Sequence, residues 1–318
     1  MALKVIKRGM DSREVIVRFE SERQALAMMS HPNIARAFDA GATDDGRPYF
    51  VMEFVPGIPI TEYCDQHRLS LRERIDLFIR VCEGVQHAHH KGIIHRDLKP
   101  SNVLVVEEDN RAKPKIIDFG IAKALTQRLT DKTLYTQIGH IVGTLSYVAP
   151  EQADSGAVDI DTRADIYSLG VLLYELIAGR RPLDDLNVRS TDALSISKTL
   201  SESSPPRPSG SSGMTGENVS EIAERRRSSP DRLRRDVSGD LDWITVKALE
   251  PDRTRRYSTA EDLARDLRRH FDNEPVSARP PSLSYRAGRF VVRHKLAVAA
   301  AAVIALSLIH ISEPTRLQ

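Results

Sequence analysis

Cysteine is scarce in this chain of 318 residues: there are two, Cys64 and Cys82. Two thiols in so long a chain cannot make a disulfide framework, and they read as buried small hydrophobes. No basic-then-apolar leader opens the sequence, which together with the thiols points to a reducing cytosol. An excess of charge is also lacking, since 46 basic side chains face 44 acidic ones for a net charge of +2. That balance supplies no global field for a polyanion, so no nucleic-acid partner is expected and any basic signal must be local. No repeat of solenoid length is present. What is there is ample apolar material, 41% of residues, in a chain long enough for about two units of roughly 150 residues.

The first 55 residues read as a small β-rich unit with one helix. Residues 2–6 are short and apolar, Val15, Phe19, Leu26 and Met29 recur at helical spacing, and residues 34–41 and 49–55 read as strands around the turn-forming cluster Thr43-Asp44-Asp45-Gly46. From Leu71 the period changes. Ile75, Phe78, Ile79, Cys82 and Val85 mark one face of a long helix stopped near Gly92. Short strands are predicted at 103–106 and 115–117, and Ile166, Leu169, Leu173, Leu176 and Ile177 make a strongly apolar helix closed by Gly179. Residues 201–216 hold six Ser, three Pro and three Gly, a composition that predicts a mobile loop within an insert at about 190–239. Arg225, Arg226, Arg227, Arg232, Arg234 and Arg235 follow and read as a solvated face. Two helical patterns return over 240–271.

The end of the chain differs in kind. Residues 296–309 contain one polar side chain, Ser307, and are preceded by Arg286, Arg289, Arg293 and Lys295. Fourteen residues of helix reach about 21 Å, short of the roughly 30 Å hydrocarbon core. The basic flank nevertheless predicts a basic juxtamembrane linker over 272–295 and an incomplete transmembrane helix over 296–311, with everything before it in the cytosol. The alternative is a C-terminal packing helix.

The sharpest constellation is His95-Arg96-Asp97-Leu98-Lys99-Pro100-Ser101-Asn102, followed after a strand by Asp118-Phe119-Gly120. Phosphoryl transfer needs an acceptor hydroxyl held in line, a divalent metal on the leaving charge, and water kept out. Asp97 suits the base that orients and deprotonates the hydroxyl, Asn102 and Asp118 supply hard oxygen ligands for Mg2+, and Lys99 can set positive charge on the transferring group. A lone Asp-Phe-Gly is weak, but the longer string at this distance upstream is highly specific. The histidines at 87, 89, 90 and 95 suggest a metal cluster less well than a helix end.

On these motifs the chain resembles the eukaryotic-like protein kinase family over about residues 1–271, and more narrowly its bacterial membrane-tethered serine/threonine members. The resemblance implies an α+β, bilobal protein-kinase-like fold, with a small β-rich lobe over 1–55 that lacks its first strands and a larger helical lobe over 56–271. Met1-Ala2-Leu3-Lys4 is similar to the family's lysine strand, making Lys4 the holder of the α- and β-phosphates and Glu22 its partner. Met52 is implied to limit access behind the adenine, Glu53 and Val55 to offer backbone hydrogen bonds, and Ala2 and Leu104 to sandwich the ring. Residues 143–151 look like the end of an activation segment; Thr144 there and Lys99 in the upstream string mark a Ser/Thr acceptor, and phosphates on Thr130, Thr133 or Thr136, earlier in the segment, would pair with Arg96. Asp165 is similar to the aspartate beneath the catalytic loop, and Glu151 to the acid that pairs with an arginine, here Arg256.

The family's glycine-rich phosphate loop precedes the lysine strand, at which this chain begins, so an N-terminally truncated small lobe with weak ATP binding is expected. Implied cofactors are ATP and Mg2+. Implied partners are proteins carrying Ser or Thr, a second copy for autophosphorylation, and the cytoplasmic membrane; a catalytically silent scaffold is the alternative.

Overall fold

The computed structural model describes residues 1–5, 29–44, 47–119, 146–153, 160–185, 203 and 205–312. Glu22, Gly120, Thr130, Thr133, Thr136, Gly143 and Thr144 lie outside the described residues.

The small lobe contributes an antiparallel sheet of β1 (Ala2–Val5), β2 (Ala37–Ala42) and β3 (Pro48–Met52), in the order β1-β3-β2. Its register sets Ala2 opposite Met52 and Lys4 opposite Phe50. A second antiparallel sheet, β4-β5-β6, is built from β4 (Ile58–Pro59), β5 (Val103–Glu108) and β6 (Arg111–Ile116). Both long strands outrun their sequence prediction. Asp109 and Asn110 adopt left-handed backbone, with φ of 53° and 58°, the two-residue turn whose twist suits a hairpin, so the ladder continues to Glu108 opposite Arg111. Pro114 is tolerated because β6 is an edge strand.

The two sheets are stitched together next to that edge. Ile34 forms a parallel bridge to Ile116, with Ile116 N–H donating to Asn33 O at 2.8 Å and Ala35 N–H to Ile116 O at 2.9 Å. The Asn33 amide also donates to Pro114 O at 2.9 Å. A second link runs through Glu53, which takes an ion pair from Lys115 Nζ at 2.5 Å and donates its own N–H to Arg36 O.

Below the sheets the lobe is helical. After α1 (Ile60–Gln66), α2 (Leu71–His90) starts at a capping box in which Ser70 Oγ accepts from Glu73 N–H and Glu73 Oε2 accepts from Ser70 N–H. It is buried on more than the predicted face, because α4 (Arg163–Ala178), β6 and a later helix all pack on it. Cys64 and Cys82 are both fully buried, and burial pushes the Cys64 thiol up to about 12. The helix α4 follows the short α3 (Pro150–Ala153) and is buried nearly all round, as expected of a helix with no polar face. It ends at Gly179, whose φ of 73° suits glycine.

The stretch read as a mobile loop is ordered from residue 205 onward. A short α5 (Pro182–Asp185) precedes it, and after the 3-10 turn Pro208–Gly210 come α6 (Ser212–Thr215), α7 (Val219–Glu224) and α8 (Pro230–Val237). One of the serines counted against burial is used as a donor: Ser209 N–H and Oγ both reach the Asp242 carboxylate, at 2.9 and 2.6 Å. Gly213 sits where a Cβ would run into the Ala178 carbonyl. The arginine cluster is a second correction, because Arg226 is 2% exposed. It donates to Ile177 O and Leu176 O at 2.8 and 2.9 Å and to Ile222 O at 3.0 Å. It therefore caps the carbonyls that α4 leaves unpaired at its C-terminus.

The body closes with α9 (Asp240–Ala248) and α10 (Ala260–Phe271), the latter on α2. Then come α11 (Leu283–Arg293) and α12 (Lys295–Ser312). Among the described residues no single helix is long and apolar enough to cross a membrane; α11 and residues 295–307 pass together, bent by 98°.

Candidate active site

Asp165, at the start of α4, organises the loop that carries Asp97. Its Oδ2 accepts from His95 N–H and from His89 Nε2, and its Oδ1 from Arg96 N–H, all at 2.8 Å. Burial alone would raise this fully buried carboxyl, but the bonds and the neighbouring imidazoles outweigh it and hold the group below the usual carboxylate range. Gripping both N–H groups keeps Arg96 in left-handed backbone, φ 62°, a conformation that costs a non-glycine residue about 1–3 kcal/mol and persists only where the surroundings impose it. His95 is buried beside the Phe119 ring, with centroids 4.7 Å apart, and its Nε2 lies 3.0 Å from Ile117 O. Burial pushes its imidazole below the ordinary 6.5. His89 and His95 thus serve the loop's architecture.

The chemical residues converge on this frame. Asn102, in the 3-10 turn Pro100–Asn102, donates its amide Nδ2 to Asp97 O at 2.7 Å and to Asp97 Oδ2 at 3.1 Å. Lys99 Nζ lies 3.1 Å from the same Oδ2. The Asn102 carbonyl accepts from Ile117 N–H at 2.9 Å, which brings Asp118, with φ 57°, alongside. Asp118 Oδ1 in turn is 3.0 Å from Lys4 Nζ of the small lobe. Asp97, Lys99 and Asn102 therefore form one connected polar group, and the backbone bond between Ile117 and Asn102 ties the Asp118–Lys4 pair to it. Because Asn102 spends its nitrogen on Asp97, its amide oxygen is the atom left to pair with the Asp118 carboxylate in a hard-oxygen donor set. Two such ligands suit a Mg2+ that is otherwise held by phosphates and water. Among the described residues no group of three or more His, Cys, Asp and Glu could hold a metal, and phosphate-bound Mg2+ does not need one.

Met52 ends β3 and pairs with Ala2, Glu53 and Val55 lie on the chain between β3 and β4, and Leu104 pairs with Pro59 of β4. Val55 is buried, and Leu104 is half-buried on β5 opposite Lys115. Glu53 spends its N–H on Arg36 O, so the hydrogen-bonding group it offers is its carbonyl. On the far side of the loop Gln152 Nε2 donates to Arg96 O at 3.3 Å. Glu151 makes a bidentate pair with Arg256, at 2.6 and 2.8 Å, next to the Tyr167 ring. Sequence reasoning missed the Lys115–Glu53 pair and the Gln152 bond, neither of which has a sequence signal beyond residue type.

A protein kinase domain model matches residues 1–267. The chain belongs to the protein kinase family. Its kinase region is similar to the serine/threonine-protein kinase PrkC of Bacillus subtilis, 32% identical over 265 residues, covering 83% of this chain and 35% of that protein. It is also similar to PknA of Mycobacterium tuberculosis, 39% identical over 215 residues, 65% of this chain and 46% of the relative. The chain spans less than half the length of these curated relatives. Among solved structures, a double mutant of the Mycobacterium tuberculosis PknI kinase domain superposes with a TM-score of 0.56 at 25% identity, covering 84% of this chain and 83% of that one. The bilobal α+β kinase fold is thereby shown.

Proposed function

We propose that this kinase transfers the γ-phosphoryl group of ATP to serine or threonine hydroxyls of proteins, and that it does so tethered to the cytoplasmic face of a membrane. The observation that carries the reading is the convergence of Asp97, Asn102 and Asp118 through Asn102. Asp97 orients the acceptor hydroxyl and takes its proton as the oxygen bonds phosphorus and the bond to the departing diphosphate breaks. Lys99 lends positive charge to the transferring group from beside Asp97. Lys4 holds the α- and β-phosphates, and the Asn102 amide oxygen with the Asp118 carboxylate holds the metal. Magnesium, when bound, neutralises the charge that develops across the phosphates. Lys99 and the resemblance of residues 143–151 to a peptide-docking platform support a Ser/Thr protein acceptor.

Arg96 supports control by phosphorylation. Its buried Nε has no hydrogen-bond partner among the described residues, so a phosphate on Thr130, Thr133 or Thr136 would meet an unsatisfied donor. Tethering is supported by the apolar run at 296–309 and its basic flank. The test is incubation of the chain with Mg-ATP and a Ser/Thr-containing protein, read as phosphate incorporation by mass spectrometry. Incorporation on Ser or Thr that Asp97→Asn removes is the expected result. Nucleotide binding with no incorporation in the parent chain would favour the silent scaffold.

A further inference from the structure

The helix α11 has two faces with different fates. Tyr285 OH donates to Asp240 Oδ2 at 3.0 Å and Arg289 forms an ion pair with the same carboxylate. Arg289 also donates to Asn273 Oδ1 at 3.0 Å, and Arg293 pairs with Glu274 at 2.9 Å. Asp240 is nearly fully buried, and Arg279 and His270 approach it as well, at 3.4 and 3.8 Å. The expected linker is thus clamped onto the large lobe along the side of α11 bearing residues 285, 289 and 293. At 100° per residue, Ala287 and Val291 lie opposite Arg289, and Leu283 and Phe290 flank them, the four lining an open groove beside Asn273 and Pro275. Leu283 is 86% exposed and Phe290 59% exposed. Apolar groups that a clamped helix holds out in water call for a cover.

The charges and the chain direction say what the cover is. From residue 275 to 312 there is no acidic side chain, and Arg286 and Lys295 are exposed and make no ion pair with a described residue. Next, α12 leaves α11 at 98°, and its residues Leu296, Val303, Ile304 and Leu306 are all exposed. An amphipathic helix with cations at its flanks, joined at a right angle to an apolar one, has the geometry of a segment lying in a membrane surface beside one that dips into it.

We propose that α11 lies flat in the headgroup layer of an anionic lipid bilayer with its Leu283–Phe290 face inward, so that the Asp240 clamp fixes the orientation of the catalytic body over the membrane. This deepens the tether reading and rests on it. The test uses the full chain reconstituted in vesicles of phosphatidylcholine with about one third phosphatidylglycerol. Phe290→Trp is introduced with Trp243→Phe, which removes the single native tryptophan; in parallel, Leu306→Trp in the same background reports on α12. The expected result is blue-shifted emission from position 290 and quenching by lipids brominated high on the acyl chain. Arg286→Gln with Lys295→Gln should lower the docked-to-lifted ratio by roughly 25-fold, about fivefold per cation near such a surface.

A water-exposed probe at 290 beside a lipid-buried one at 306 overturns the proposal and leaves the tether standing, whereas exposure at both positions overturns both. Equal burial of position 290 in pure phosphatidylcholine overturns the anionic assignment. Shielding without vesicles that fades on dilution overturns it in favour of a second copy. If Trp243→Phe impairs folding, seen as a lowered melting temperature, the same probes are read as difference spectra with Trp243 retained.

Discussion

Asp165→Asn is the substitution that most directly tests how the catalytic loop is held. The aspartate accepts three bonds at 2.8 Å, two on Oδ2 and one on Oδ1. Asparagine keeps the shape and one acceptor. If its oxygen stays with His95 N–H and His89, its NH2 group meets the Arg96 N–H donor to donor. One bond to a charged acceptor is then lost, about 1.5–3 kcal/mol, and two fall from charged to neutral strength, about 1 kcal/mol each. The sum, about 3.5–5 kcal/mol, is a large share of the roughly 5–15 kcal/mol available to a domain. The damage is also directional, since Arg96 loses the contact that imposes its left-handed backbone and Asp97 follows it in the chain. Urea unfolding should show a lower midpoint at unchanged m-value, and phosphate transfer should fall in kcat more than in KM. His89→Ala removes one bond without touching either N–H, so it should cost about 1.5–3 kcal/mol and spare most of the turnover. An Asp165→Asn protein that unfolds within about 0.5 kcal/mol of the parent and turns over normally would refute the assignment.

Asp97→Asn should reduce phosphate transfer by about 10²–10⁴-fold with little change in nucleotide affinity, measured by single-turnover kinetics against a binding titration. Glu151→Gln leaves the buried Arg256 guanidinium without its counter-charge and should cost about 3 kcal/mol in chemical denaturation. Arg226→Met orphans the carbonyls at the end of α4 and should cost a similar amount, about 3 kcal/mol, in contrast to the near-neutral effect of Arg232→Met on the surface. Because burial holds His95 below its ordinary 6.5, the unfolded chain binds its proton first on acidification. Its contribution is therefore full above pH 6.5 and declines as pH falls below it, so thermal melts should drop in that window and His95→Asn should flatten part of the drop.

The catalytic string was readable because its residues lie within eight positions of one another and their spacing is set by one loop. The long helices were readable because burial imposes a period. Arg226 was not: nothing local separates it from Arg225 and Arg227, and it is buried only because the end of α4 needs donors there. The serine- and proline-rich stretch misled for the same reason, since the Asp242 carboxylate that orders Ser209 lies 33 residues away in sequence. The clamp on Asp240 joins groups up to 49 residues apart, and composition alone gave α11 its basic character without saying which arginines are spent on the body.

The paired stitches between the sheets carry a mechanical implication. One attachment is the chain itself with the Glu53–Lys115 pair, and the other is the bridge from Asn33 and Ile34 to β6. A body fastened at two points swings about the line through them, like a door on two pins, and resists twisting or sliding. Since β6 runs directly into Asp118, that swing axis passes next to the carboxylate that meets Lys4. Opening would then move Lys4 away from Asp118 less than it moves the strand ends farther from the axis, while leaving Asp97 and Asn102, which ride on the fixed frame, undisturbed.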